Sequence, residues 1–112
     1  EDEVRAAIKS CWDANGYVID PHTACGYYVM QQMPRDPLTP RVLLSTASPY
    51  KFPRDVLAAL GETAPESDFA AMAALNVKTG CPVPASLSVL NTLPVRFNTV
   101  IEPAAIRDAA LK

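Results

Sequence analysis

The chain has 112 residues, 49% of them hydrophobic and 20% charged, with a net charge of −2, which is room for one small globular domain. Its ten Lys and Arg residues are scattered and balanced by twelve acids, which excludes a basic nucleic-acid footprint, and no apolar run approaches the roughly 20 residues of a membrane-spanning helix. Cys11, Cys25 and Cys81 are odd in number and lack CxxC spacing, and His22 is the sole histidine. That pattern argues against a disulfide framework and a zinc site and fits a cytoplasmic protein with reduced thiols.

In chain order, residues 2–14 form an expected amphipathic helix. Val4, Ile8, Cys11 and Trp12 recur at helical spacing, acids crowd the first turn, and Gly16 suits the C-terminal cap. Tyr17-Val18-Ile19 is a short strand-like run. Asp20-Pro21 opens a second helix, with Asp at the cap and Pro at the first helical position; it carries Ala24, Tyr28 and Val29 and stops before Pro34. Three prolines between Met33 and Pro40 make that stretch a loop.

Arg41-Val42-Leu43-Leu44-Ser45-Thr46 has the short continuous apolar run of a strand buried on both faces of a parallel sheet, and Ser45–Pro49 is the polar loop at its end. Pro53 starts a helix ended by Gly61, and Ser67-Asp68 caps another through Phe69, Met72 and Leu75. Thr79–Pro84 reads as a turn, Pro84 opens a short helix, Arg96–Ile101 alternates as an edge strand, and Pro103 opens the last helix. The expected class is therefore α/β, helix-rich, with two or three short strands, the central one parallel. So few strands make a poor sheet alone. The chain also starts in helical register at Glu1 and stops at Lys112 in mid-helix. Residues 1–112 are thus expected to be a single piece of a longer protein.

Two segments carry candidate chemistry. Hydroxyls at Ser45 and Thr46, at the carboxyl end of a buried strand, stand where α/β sheets bind ligands; the plainer alternative is a loop that satisfies its own backbone. Asp20, His22 and Thr23 stand at a helix N-terminus, where free N–H groups favour anions; the plainer alternative is a helix cap beside a solvated histidine. Cys81, before a proline in a turn, lacks the basic neighbours of a reactive thiol.

These two segments, Gly16–Ala24 and Leu43–Pro53, resemble in order and spacing the C-terminal part of threonine synthase, and Thr79–Ala85 and Leu93–Phe97 resemble its closing part. The resemblance covers essentially the whole chain. It implies a fragment of a pyridoxal-phosphate-dependent fold of the tryptophan-synthase-β type. The implied reaction converts O-phosphohomoserine and water to threonine and phosphate, with O-phosphohomoserine as substrate and pyridoxal phosphate as cofactor. By position, Thr46, with Ser45 as alternative, would bond the pyridine nitrogen, while Asp20, His22 and Thr23 would line the site. Many family members have His where this chain has Ser48 and a small residue where it has Tyr50.

The family's anchoring lysine lies in an N-terminal half, so neither Lys51 nor Lys9, Lys78 or Lys112 matches it, and the four dispersed glycines make no phosphate cradle. The implied partner is accordingly the N-terminal part of the same enzyme, the fragment alone being inactive, with a homo-oligomer open. The alternatives are another pyridoxal-phosphate lyase or dehydratase of the same fold, and a stand-alone non-catalytic module.

Overall fold

The computed structural model describes residues 1–111. Among them the architecture is helical, with no strand. The main helices are α1 (Asp2–Asn15), α2 (Pro21–Gln32), α3 (Pro53–Ala59) and α4 (Asp68–Thr79). A 3-10 turn at Pro49–Lys51 leads into α3.

Each helix boundary follows from local chemistry. Gly16 ends α1 in the left-handed conformation (φ 61°), which its missing β-carbon allows, and its N–H bonds the Trp12 carbonyl at 2.8 Å. The Asp20 side chain caps α2, with Pro21 as its first helical residue. Pro53 opens α3, and Ser67 caps α4. These boundaries agree with those expected from sequence.

The core lies among these four helices. Ile8 of α1, Ala24 of α2, Val56 and Leu57 of α3, and Ala71 and Leu75 of α4 are removed from solvent. Helix α1 packs on both α2 and α3, and α3 packs on α4. Val18 and Ile19, in the link between α1 and α2, also point into this core. Tyr50 is buried too, and its hydroxyl donates to the Cys81 carbonyl, which also receives the Asn76 amide at 2.6 Å. This joins the turn before α3 to the turn after α4.

After Leu87, which packs half-buried against the core, the chain leaves it. Helices α5 (Ala85–Ser88) and α6 (Ile106–Ala110) are short, and none of residues 85–111 is buried.

The expected α/β class, with its parallel central strand, is overturned. A strand needs a neighbouring backbone to take up its N–H and C=O groups. Arg41–Thr46 lies beside α2, whose only free backbone groups on that side are carbonyls at its C-terminal end, and these take the Arg41 side chain, so the segment's contacts are made by side chains. Tyr17–Ile19 is a buried linker between two helices. Arg96–Ile101 is exposed along its length, with Phe97 87% and Val100 95% exposed. In each case the apolar pattern of a strand is present and the pairing partner is absent among the described residues.

Candidate functional site

The start of α2 and the Arg41–Thr46 segment meet. Asp20 is fully buried, and one carboxylate oxygen accepts the backbone N–H of His22 at 2.8 Å and of Thr23 at 3.3 Å. The same oxygen lies 3.2 Å from the Nδ1 atom of His22, and the other accepts the Thr23 hydroxyl. Burial alone would raise the Asp20 pKa. The hydrogen bonds from the Thr23 hydroxyl, the two backbone N–H groups and the His22 ring outweigh it and hold the carboxyl below the usual range.

Thr23 Oγ1 also lies 3.2 Å from Ser45 Oγ, across 22 positions of sequence. A hydroxyl has one proton. Since the Thr23 proton goes to the buried carboxylate, the Ser45 hydroxyl donates to Thr23, in preference to the Ala47 carbonyl at 3.5 Å. The result is an oriented chain, Ser45 to Thr23 to Asp20, ending on a negative charge.

The structure thus separates the five residues expected at a site. Asp20, Thr23 and Ser45 are brought together and satisfy one another. Thr46, the neighbour of Ser45, is exposed and its side chain makes no hydrogen bond among the described residues. His22 is exposed, with its ring tilted 52° against Phe52 at a centroid distance of 5.1 Å. The two rings border a pocket of about 240 Å³, below the range of about 300–1,000 Å³ typical of small-molecule sites.

The remaining motif residues have structural duties. The Ser48 side chain accepts the Tyr50 N–H at 3.2 Å and so caps the 3-10 turn. Tyr50 is a core residue, and Lys51 is exposed. Lys9 pairs with Asp13 at 2.7 Å and Lys78 with Glu62 at 2.6 Å. Lys112 lies outside the described residues.

Sequence reasoning passed over Gly26, Arg41 and Leu43. Arg41 Nη1 donates to the carbonyls of Met30 (2.5 Å) and Met33 (3.5 Å) at the end of α2. A β-carbon at Gly26 would stand 2.7 Å from a Leu43 methyl group. A glycine within a helix is unfavourable by itself, and here the end of the Leu43 side chain fills the space beside it.

A family model described as "Threonine synthase, C-terminal" matches residues 23–109. The chain is 44% identical over 61 residues to threonine synthase-like 2 of Pongo abelii and 43% identical over 61 residues to threonine synthase-like 2 of Homo sapiens. Each of these alignments covers 53% of the chain and 13% of the relative. Threonine synthase-like 1 of Mus musculus is 41% identical over 61 residues, which is 54% of the chain and 8% of the relative. The chain therefore matches only a small part of the length of these relatives.

Proposed function

Because the chain belongs to the threonine synthase C-terminal family, we propose that it works as part of a pyridoxal-phosphate enzyme acting on O-phosphohomoserine. The observation that carries this reading is the meeting of the two family motifs at the Thr23–Ser45 hydrogen bond, with the Thr46 hydroxyl beside it unspent.

The residues present fit one end of pyridoxal phosphate. A neutral hydroxyl can bond the ring nitrogen, and Thr46 has one to offer. The phosphate and the carbonyl end are not matched here: the glycines are dispersed, and Lys9, Lys51 and Lys78 lie in no segment that resembles the family's anchoring lysine. Those contacts belong, on this reading, to the rest of the enzyme, and the 112-residue chain alone is inactive.

Bound pyridoxal phosphate supplies the electron sink for chemistry at the α- and β-carbons of an amino acid. A hydroxyl at the ring nitrogen, in place of a carboxylate, leaves that sink weaker and so restrains competing eliminations. In the proposed reaction the β-carbon of O-phosphohomoserine gives up a proton as phosphate leaves the γ-carbon. The γ-carbon then gains a proton to become a methyl group, and water adds its OH at the β-carbon to give threonine. Asp20, Thr23 and Ser45 hold the loop, and Thr46 holds the ring.

The test is phosphate and threonine production from O-phosphohomoserine by the full-length protein, with Thr46→Ala alongside. Both products from the parent and at least about tenfold less from the variant, a barrier change of about 1.4 kcal/mol, is the expected result. Equal activity would remove Thr46 from the reading. Bound cofactor with no phosphate release would favour a lyase or dehydratase acting on serine or threonine.

A further inference from the structure

The segment from Arg41 to Thr46 has no regular backbone structure, yet its side chains alternate strictly. Arg41, Leu43 and Ser45 reach α2, at Met30, Gly26 and Thr23 respectively. Val42 and Leu44 point away and are 82% and 77% exposed. Thr23, Gly26 and Met30 are three and four positions apart and so share one face of α2. The order is reversed between the two elements, so the segment runs antiparallel to the helix.

The two spacings agree. Seven helical residues from Thr23 to Met30 rise about 10 Å, and the four steps from Arg41 to Ser45 reach at most about 14 Å. The long Arg41 side chain, reaching on to Met33, takes up the difference.

We propose that Gly26, Arg41 and Leu43 are positioning residues that set the register of the 41–46 segment on α2. Leu43 enters the space left by the missing β-carbon of Gly26, and Arg41 ties off the carbonyls at the end of the helix. Ser45 then falls on Thr23, and Thr46 faces the other side with its hydroxyl unspent. In an alternating segment a slip of one residue exchanges the two faces. Leu44 would then lie on Gly26, Thr46 would be consumed by Thr23, and Ser45 would face outward. The register therefore decides which of two adjacent hydroxyls is presented. Its role toward the cofactor rests on the reading of Thr46 given above.

The test is a size-exchange cycle in the full-length protein: Gly26→Val, Leu43→Ala and the double variant. One readout is the melting temperature without cofactor. The others are the absorption spectrum of bound pyridoxal phosphate and the concentration needed to saturate it. Gly26→Val should lower the melting temperature and weaken cofactor retention about tenfold. Adding Leu43→Ala should restore a large part of both, because the smaller side chain makes room for the valine.

Additive losses would overturn the Gly26–Leu43 contact. Coupled melting temperatures with unchanged cofactor spectrum and affinity would keep the register and overturn its part in aiming Thr46. A parent protein that binds no pyridoxal phosphate would defeat the Thr46 reading while the melting cycle still decided the register. Should Gly26→Val fail to fold, recovery in the double variant is itself the coupling. Arg41→Met then provides the second test: about tenfold weaker retention, with Arg41→Lys in between, supports the register. An unchanged melting temperature in Arg41→Met overturns Arg41's part in the register; a lowered melting temperature with unchanged retention overturns its part in aiming Thr46.

Discussion

Asp20 is a buried charge whose oxygens are met by Thr23 and His22. Replacing it by alanine removes the α2 cap and strands buried N–H groups, so a loss of about 2 kcal/mol is expected in urea unfolding at pH 7. Its pH dependence has a definite sign. The folded carboxyl is held below its ordinary value, so on acidification the unfolded chain takes the proton first. The stabilisation is complete above the unfolded pKa of about 3.9 and is lost as pH falls through the folded value. The gap in urea midpoint between the parent and Asp20→Asn should therefore narrow from pH 7 to pH 3; a gap that widened would contradict the assigned direction. Asp36 is also held low, by the Thr39 hydroxyl and the Leu38 N–H, so the comparison is cleanest in an Asp36→Asn background.

Among the elements, the link between the turn before α3 and the turn after α4 runs through one carbonyl. The Cys81 oxygen accepts from both Tyr50 and Asn76. Tyr50→Phe leaves the Asn76 bond in place and keeps the ring in the core, and should cost about 1 kcal/mol. Tyr50→Ala empties a buried site and should cost about 3–5 kcal/mol, as for other large aromatic truncations; thermal unfolding distinguishes the two. Helix positions were legible because their signals are local: Asp20-Pro21, Ser67 and Gly16 act on the backbone next to them. The three expected strands failed for the complementary reason. Alternation or an apolar run states what a segment would bury, whereas pairing depends on a neighbour elsewhere in the chain, and for Arg41–Thr46 that neighbour is a helix.

At the scale of the whole molecule, the chain is more open than its length requires. The radius of gyration is 17.5 Å, against about 13 Å for a compact domain of this size. The stretch after Leu87 adds no residue to the buried core. Ending the chain at Thr92 should therefore change the unfolding free energy of the four-helix body by less than about 0.5 kcal/mol, measured by urea titration. The exposed Val42, Leu44, Val95, Phe97 and Val100 are more apolar surface than so small a body usually leaves bare. The isolated chain is expected to bind a hydrophobic dye and to self-associate in size-exclusion chromatography. Monomeric elution without dye binding would count against this.

Local punctuation and family were determined by the sequence alone: the caps of α1, α2 and α4, the proline breaks, and the match of residues 23–109 to the family. These depend on residues close in the chain, whose interactions are the same wherever the segment is placed. Tertiary structure alone decided that Ser45 is spent on Thr23 while Thr46 is not, and that an apolar run lies along a helix. Both outcomes depend on contacts between Arg41–Ser45 and Thr23–Met33, where a shift of a single residue would exchange the faces and no local preference opposes it.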